Sequence, residues 1–374
     1  MRRTLTTAAA MLGAAALTLA GCAQAPGTGG ASSAAPTTSA SSSASGGGGG
    51  SAFKACMVSD SNGFDDKSFN ETSHKGLTDA KTQLGIETNQ VESKTASDYA
   101  KNIQSMVDAK CNIIVTVGFL LGDDTLAAAK KNTEIKFAIV DNNDSKTYPA
   151  AKNLKPLVFN TAQSSFLGGY LAAGMSKTKK VGTFGGAKLP TVTIFMDGFA
   201  QGVDYYNKTK KASVQVLGWD AAKQDGQFTG DFTDQKGGQR TAQGLISQGA
   251  DILFPVAGSA GLGALQAAKA SGGKVNGMWV DTDGCVSTPY CANIITSVTK
   301  GLDGSVRNAI KAAVDGSFDN TPYVGTLEND GTGLAPFHDF DSKVPADLKA
   351  EVDALKADIV SGKIKIESKS QPST

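Results

Sequence analysis

Short apolar runs alternate with longer amphipathic stretches through most of this 374-residue chain. The apolar runs predict strands, and stretches with apolar residues three or four positions apart predict helices. The predicted strands are 54–58, 86–91, 112–117, 135–141, 180–184, 214–219, 250–254, 275–281 and 294–298. The predicted helices are 70–84, 97–109, 123–132, 164–176, 195–207, 238–248, 261–270, 302–314 and 346–360. This alternation predicts parallel sheets with helices on both faces.

The alternation runs once to Asp141 and then restarts near Ser164, which indicates two similar α/β units. Open parallel sheets bind ligands at the carboxyl ends of their strands, so two facing units make a cleft. We therefore predict an α/β, type I periplasmic-binding-protein fold with two Rossmann-like lobes that close by hinge motion. The expected lobes are 52–160 with 292–318 and 161–291 with 319–374. The three hinge crossings are expected near Phe159–Gln163, Cys285–Ile294 and Ser317–Tyr323.

The first fifty residues differ in composition from the rest of the chain. Arg2 and Arg3 precede a short apolar run, which is typical of a secretory signal peptide over residues 1–21. That run ends in Leu-Ala-Gly-Cys22, which resembles a bacterial lipobox with a lipidated cysteine. Residues 22–51 are rich in Ser and Gly and predict a disordered tether. We expect a chain anchored by lipid at Cys22 to the extracytoplasmic face of a bacterial cell membrane.

The net charge and the cysteine content limit which ligands, disulfides and metal sites we expect. The net charge of +1 gives no electrostatic case for nucleic acid. Four of the five cysteines follow the tether, and export to an oxidising setting favours disulfides. We favour Cys56–Cys111, which would join two neighbouring strand starts, and Cys285–Cys291, which would close a short loop. Zinc is the alternative, but the spacing is not paired C-x-x-C and only two histidines are present, so we expect neither metal nor cofactor.

Several strands end in Asp, Asn or Gly, where the cleft between the lobes is expected. They end at Ser59-Asp60, Val117-Gly118-Phe119, Val140-Asp141, Ala257-Gly258 and Val280-Asp281. Any one of these is more often a strand end or a helix cap than a ligand site. Because they converge at one edge of each sheet, the set as a whole indicates a binding site.

The side chains near these ends suit a nucleoside. Aromatic rings stack on a planar base, and Phe69 and Phe199 each lie near a predicted helix start beside the cleft. An amide and a carboxylate, Asn70 and Asp141, suit the edge of the base. Charged partners make the stronger hydrogen bonds to hydroxyl groups, so Asp281 and Lys300 suit the ribose. Each ring taken alone is more often part of a core than a stacking platform.

At these residues the chain resembles the basic membrane protein family of substrate-binding lipoproteins, whose characterised members bind purine nucleosides. The resemblance runs in order over about residues 53–318 and is weaker after Phe318. It rests on the segments GFDDKSFN (63–70), FAIVD (137–141), DGFAQGV (197–203), GADILFPVAG (249–258), VDTD (280–283) and TSVTK (296–300).

The resemblance implies a cleft in which Phe69 and Phe199 sandwich the base, with Phe195 as the alternative second ring. It implies Asn70 and Asp141 at the base edge and Asp281 and Lys300 at the ribose. It also places Asp66 among the ligand-binding residues, and a close approach of backbone to ligand at Gly258. The implied partners are a nucleoside and the permease and ATPase of an ABC importer, with the protein itself a monomer. The loop 283–291, with its two cysteines and Pro289, departs from the family pattern.

The sequence is also compatible with three other classes of protein. An enzyme is the first, but the chain has no G-x-S-x-G or H-E-x-x-H motif and no dinucleotide or P-loop glycine spacing. A sugar-binding protein of the same fold is the second. Sugar clefts also use arginine, but the two arginines of the folded region, Arg240 and Arg307, do not follow predicted strands. A ligand sensor or surface adhesin is the third, because its binding lobes would have the same sequence features.

Overall fold

The computed structural model describes residues 53–142 and 151–372. The predicted signal peptide, Cys22 and the tether lie outside these ranges. Among the helices in the described ranges, none combines the length and the apolar character that a membrane crossing requires.

The first lobe is built on a sheet of six parallel strands, counted over the described residues. In chain order they are β1 (Lys54–Ser59), β2 (Glu87–Glu92), β3 (Ile113–Val117), β4 (Lys136–Val140), β5 (Leu154–Phe159) and β13 (Tyr323–Gly325). Their order across the sheet is β13-β5-β4-β3-β1-β2. The central strands are buried on both faces, as their continuous apolar runs predict.

Four helices cover the two faces of this sheet: α1 (Phe69–Leu84), α2 (Tyr99–Asp108), α3 (Gly122–Lys131) and α9 (Leu302–Val314). α1 and α9 share one apolar cluster with the sheet, and α2 and α3 share the other. The close approach of α9 to α1 needs Gly76, because a Cβ there would lie 2.6 Å from the carbonyl oxygen of Asp303. The lobe is therefore a three-layer sandwich whose strands all end at one edge.

The second lobe repeats this plan over the described residues. Its strands are β6 (Lys180–Gly185), β7 (Gln215–Leu217), β10 (Ile252–Val256), β11 (Asn276–Asp281), β12 (Ile294–Lys300) and β14 (Thr332–Leu334). They are ordered β14-β12-β11-β10-β6-β7, and the edge strand β14 runs antiparallel to β12. A short hairpin, β8 (Trp219–Asp220) and β9 (Asp225–Gly226), lies beside them.

The helices of the second lobe also form two layers. They are α4 (Thr161–Met175), α5 (Pro190–Lys210), α6 (Gln235–Ser247), α7 (Leu262–Ala270), the single turn α8 (Gly284–Ser287) and α10 (Ala346–Val360). α4, α5 and α10 share one large apolar cluster, and α6 and α7 share another. Glycines let α4 and α5 touch, since a Cβ at Gly198 would lie 2.3 Å from the carbonyl oxygen of Ala162.

The two parallel-sheet lobes confirm the predicted α/β architecture, but two of the three crossings differ from the prediction. The first passage between lobes is at Asn160, between β5 and α4. The strand assigned to the first lobe, Ile294–Lys300, pairs instead with β11 in the second sheet. The second passage is therefore at Gly301 rather than in 285–294, and the third follows β13 at 326–331 rather than in 317–323.

The physical reason for this difference is that strand–helix alternation does not specify which sheet a strand joins. The apolar run 294–298 fits either sheet, and pairing with β11 settles the choice. The three passages lie side by side and are tied by backbone hydrogen bonds. The amide of Asn160 donates to Gly325 (2.8 Å), and that of Gly301 donates to Gly331 (2.9 Å). The hinge is consequently a compact bundle of three chain segments.

Candidate ligand-binding site

The carboxyl ends of both sheets face a cavity of about 560 Å³, part of it open to solvent. The walls from the first lobe include Asp60, Asn62, Phe69, Phe119, Leu120 and Asp141. The walls from the second lobe include Leu189, Thr191, Val192, Phe195, Phe232, Gly258, Asp281 and Lys300.

A buried ion cluster joins the lobes at the hinge end of this cavity. Lys300 is the last residue of β12 and is 5 % exposed. Its ammonium is paired with Asp141 of the first lobe and lies 3.5 Å from a carboxylate oxygen of Asp281 in the second. Burial lowers the pKa of Lys300, but the two carboxylates outweigh burial and raise it on balance. Lys300 is therefore a fixed positive charge held between two lobes.

Asp141 and Asp281 occupy matching positions in the two sheets. Asp141 follows β4 and Asp281 ends β11, and each of these strands is third from the β13 or β14 edge. Both residues have left-handed backbone angles, with φ of 65° and 68°. Asp tolerates this conformation better than most residues, yet it is uncommon outside turns and functional sites. The same backbone turn thus brings one carboxylate from each lobe to Lys300.

Two aromatic rings, one from each lobe, lie beside this ammonium. Phe69 begins α1 and Phe195 lies near the start of α5, and both line the cavity. The Nζ atom of Lys300 is 5.0 Å from the centroid of each ring. These distances are short enough for cation–π attraction. Phe159 contributes a third ring at 5.8 Å.

The structure places the predicted platform Phe199 in the core and not in the cavity. Its side chain is 0 % exposed and stacks on Phe254, with ring centroids 5.0 Å apart. Phe195, the predicted alternative, lies one turn nearer the helix start and lines the cavity instead. Since α5 begins at Pro190, its first turn faces the cleft, and later turns lie between the sheet and α4.

Asp66 is also placed away from the cavity. It is 1 % exposed, and its carboxylate accepts hydrogen bonds from the backbone amides of Ser68, Asn70 and Glu71, each at 3.0 Å. These bonds satisfy otherwise unpaired amides at the start of α1. Burial raises the pKa of Asp66 to about 7 against the opposing effect of the same amides. Asp66 thus positions Phe69 and Asn70 rather than lining the site.

A corner of hydrogen-bond acceptors lies at the first-lobe wall. Asp60 and Asn62 line the cavity, whereas Asn70, predicted at the edge of the base, is buried against Asp60 and is not among the lining residues. The side-chain amide of Asn70 and the backbone amide of Asn62 donate to one oxygen of Asp60, at 2.7 and 3.0 Å. Burial raises the pKa of Asp60, although both bonds oppose the change. The Oδ1 atoms of Asn62 and Asn70 are buried and have no hydrogen-bond partner among the described residues. An unpaired buried acceptor costs about 1–3 kcal/mol, so this corner favours a ligand with hydrogen-bond donors.

Direct contacts between the lobes show a closed arrangement. The hydroxyl of Ser68 donates to Asp281 (2.8 Å), and the indole nitrogen of Trp279 donates to the carbonyl of Lys67 (3.0 Å). Gly258, with φ of 51°, faces Asn62, and a Cβ there would lie 3.0 Å from its Nδ2 atom. Gly258 therefore allows a close approach between the two lobes, and its predicted close approach to a ligand stays a prediction.

Both predicted disulfides, Cys56–Cys111 and Cys285–Cys291, are present. Ligand atoms of Asp283, Cys285 and His338 lie within 4.8 Å of one another. The sulfur of Cys285 is bonded to its partner cysteine, and His338 pairs with Asp283 at 2.6 Å. In this state the cluster provides no thiolate for a metal ion.

Several wall residues were missed in the sequence. Asp60 and Phe119 were among the strand ends expected at the cleft, but neither was assigned a role toward the ligand. Thr191 and Val192 follow Pro190, and proline at the first position of a helix would have indicated an earlier start for α5. Phe232 lies in an irregular segment before α6, and no local pattern indicates its place in the cleft.

Comparison with known proteins agrees with this architecture. A family model described as ABC transporter substrate-binding protein, PnrA-like (Bmp), matches residues 53–369. The chain belongs to the Bmp family. It is accordingly an ABC transporter substrate-binding protein and not an enzyme, as predicted.

Relatives within the Bmp family cover nearly the same span. Basic membrane protein A2 of Borrelia garinii subsp. bavariensis is 34 % identical, over 80 % of this chain and 84 % of that protein. The ABC transporter nucleoside-binding protein BmpA of Lactococcus lactis subsp. cremoris is 29 % identical, over 84 % of this chain and 89 % of that one. A solved ABC transporter solute-binding protein from Aeropyrum pernix K1 superposes with a TM-score of 0.74 at 24 % identity, covering 84 % and 92 % of the two chains. That similarity supports the fold.

Proposed function

We propose that this Bmp-family protein captures a purine nucleoside in the cleft between its lobes and delivers it to an ABC importer. The observation that carries the proposal is the pair of rings Phe69 and Phe195, one from each lobe, in a cavity with polar groups at both ends. A base stacked on an aromatic ring gains about 1–3 kcal/mol. The nucleoside-binding name of the Lactococcus lactis relative supports the same ligand class.

The two polar ends suit the two ends of a nucleoside. Asp60, Asn62 and Asn70 form a corner of acceptors, which suits the N–H groups at the edge of a purine. Asp141, Asp281 and Lys300 provide charged partners for ribose hydroxyls at the hinge end. Charge-assisted hydrogen bonds of this type are the stronger ones.

The charge balance of the cleft favours an uncharged ligand. Three carboxylates, on Asp60, Asp141 and Asp281, line the cavity, and Lys300 is the single cation among the described lining residues. Lys300 is already paired with two of these carboxylates, and no other cation among the described lining residues is present to neutralise a phosphate group. The proposed ligand is thus a nucleoside rather than a nucleotide.

The proposed setting is the extracytoplasmic face of the cell membrane. Cys22, which follows the predicted signal peptide, would carry the lipid, and the Ser/Gly-rich segment 22–51 would serve as the tether. A flexible linker of this kind keeps the binding lobes at high local concentration near a membrane permease. The lobes themselves would work as a monomer, each closing on the other around one ligand molecule.

Calorimetric titration of residues 51–374, which form one compact unit, tests the ligand. Adenosine, guanosine, inosine, cytidine and uridine would be compared with ribose, galactose and adenosine 5′-monophosphate. The proposal expects one purine nucleoside per chain at micromolar or tighter affinity, with the monophosphate much weaker and no product formed. Binding of the sugars alone would leave the fold standing and remove the ligand class. Turnover of the nucleoside would contradict the non-enzymatic role.

A further inference from the structure

The last described residues of the chain, 366–372, run along α5, the helix that provides Thr191, Val192 and Phe195 to the cleft. Ile366 is 8 % exposed and belongs to the large apolar cluster of the second lobe. Residues 367–372, the last that the structure describes, form no helix or strand and are held by side-chain hydrogen bonds. We call residues 367–372 the C-terminal strap.

Three polar residues of α5, spaced four apart, hold this strap. The side-chain amide of Gln201 donates to the carbonyl of Glu367 (2.6 Å) and accepts from its backbone amide (3.2 Å). The hydroxyl of Ser368 donates to the buried carboxylate of Asp197 at 2.6 Å.

Thr193 is the third of these α5 residues. Its hydroxyl shares a hydrogen bond with the hydroxyl of Ser370, and the two oxygens are 2.7 Å apart. Residues four apart lie one turn apart on the same helix face. The strap therefore follows α5 turn by turn toward its N-terminus, where the helix meets the cleft.

The end of the strap reaches the hinge side of the ligand site. Pro372 is buried, and with Ser370 it lines a second cavity of about 210 Å³. That cavity shares Asp141, Thr191 and Lys300 with the ligand cavity.

The remaining walls of the second cavity come from both lobes, with Val158 and Phe159 from the first and Ile194 from the second. The strap, whose hydrogen bonds named above are to α5, thus shares this cavity with the end of β5, the strand that leads into the hinge. The family match ends at residue 369, so Ser370 and Pro372 lie beyond the matched region.

We propose that the C-terminal strap is a non-covalent link between the lobes at the hinge and a wall of the cavity next to the ligand site. Opening the lobes separates Val158 and Phe159 from α5, so it also exposes Pro372 and widens the second cavity. The strap therefore favours the closed lobes and raises ligand affinity by reducing the conformational freedom lost on binding. The affinity part of this inference rests on the proposed capture of a nucleoside, whereas the link between the lobes does not.

The test without ligand compares three chains: residues 51–374, the same chain ending at Ile366, and a control lacking only residues 373–374. Spin labels at Lys101→Cys and Lys269→Cys, exposed positions on opposite lobes, report the distance between the lobes. The strap proposal expects a longer and broader distance distribution in the chain that ends at Ile366, and no change in the control. Identical distributions in all three chains would overturn it.

The test with ligand measures affinity and dissociation rate for the tightest nucleoside in the calorimetric panel. Ending the chain at Ile366 should weaken binding about tenfold, mainly through faster dissociation, which corresponds to about 1.4 kcal/mol. Pro372→Gly, which keeps the four hydrogen bonds to α5, should lose part of this affinity with an unchanged melting temperature. If no nucleoside binds the full chain, the proposed function fails while the distance measurement still decides the strap. If both truncated chains bind as tightly as the full chain, the strap proposal fails and the proposed function stands.

Discussion

The two walls of the cleft are built from similar folds and carry different chemistry. The first-lobe wall presents Asp60, Asn62 and Asp141 beside Phe69, Phe119 and Leu120, and the buried amide oxygen of Asn62 has no partner among the described residues. The second-lobe wall presents mainly apolar side chains, including Leu189, Val192, Phe195, Phe232 and Val256. Its charged groups, Asp281 and Lys300, lie at the hinge end.

This difference assigns separate tasks to the lobes. Unpaired acceptors discriminate strongly, because a ligand without matching donors leaves them unsatisfied. Apolar side chains add burial and discriminate weakly between ligands of similar shape. We therefore propose that the first lobe selects the ligand and the second lobe covers it, with Lys300 joining the two.

The largest effect should follow removal of the cation that joins the walls. Lys300→Met leaves two buried carboxylates without their partner, which costs about 3–5 kcal/mol in unfolding free energy and should abolish binding. Lys269→Met, at an exposed lysine, is the matched control. Asp141→Asn combined with Lys300→Met should recover part of the stability, as measured by urea denaturation. If Lys300→Met were as stable as the unaltered chain, the ammonium of Lys300 would not stabilise the two buried carboxylates.

The two phenylalanines of α5 should separate binding from folding. Phe195→Leu removes a ring from the second-lobe wall and should weaken nucleoside binding by about fivefold to hundredfold. Phe199→Leu removes a ring from the core and should lower the melting temperature while leaving affinity within about twofold. Calorimetry and thermal denaturation of both variants check the pair. A larger loss of affinity for Phe199→Leu would restore the role originally predicted for that residue.

Asp141 should contribute less than Lys300, because its replacement leaves the other carboxylate paired. Asp141→Asn removes a charged hydrogen-bond partner worth about 1.5–3 kcal/mol, so binding should weaken by about tenfold or more. Asp315→Asn, which breaks the exposed pair with Lys311, is the control and should bind as the unaltered chain does. Unaltered affinity of Asp141→Asn would mean that this carboxylate only orients Lys300.

The last predicted effect concerns the pH dependence of stability at the start of α1, where Asp66 accepts hydrogen bonds from backbone amides. The pKa of Asp66 is raised to about 7 in the folded chain from its ordinary 3.8, so between these values the folded state binds more protons than the unfolded state. Its contribution to stability is therefore present at low pH and is lost as pH rises toward 7, by on the order of 1 kcal/mol per pH unit.

Asp66→Asn removes this titration. The difference in unfolding free energy between the unaltered chain and Asp66→Asn should change between pH 4 and pH 7, in the direction that favours the unaltered chain at low pH. Asp65→Asn, at the exposed neighbouring carboxylate, should show no such change. A difference that does not vary with pH would mean that the three backbone amides keep Asp66 ionised throughout.

Much of the fold could be predicted because its signals are local. Continuous apolar runs such as Ile113–Val117 and the period of α2 follow directly from burial on one or both faces. β5 was not predicted as a strand, because Lys155 and Pro156 interrupt its apolar run. The lobe that receives β12 depends on pairing with β11, which no local pattern encodes.

The candidate site likewise contains residues that local patterns predict and residues that they do not. Phe69, Asp141, Gly258, Asp281 and Lys300 were predicted and all line the cavity, because strand ends mark the cleft in any open parallel sheet. Phe199 and Asp66 belong to the same motifs but face away, because helix phase and backbone capping decide where they point. Phe232 and Pro372 reach the ligand site or its neighbouring cavity through irregular segments, so only the folded chain reveals them.

The most direct test of the central claim is a crystal structure of residues 51–374 grown with a purine nucleoside. We expect the base to lie between Phe69 and Phe195 with its edge toward Asp60 and Asn62. We expect the ribose hydroxyls within hydrogen-bond distance of Asp281 or Lys300. A ligand bound outside this cleft, or with its base away from both rings, would contradict the proposed division of tasks between the two walls.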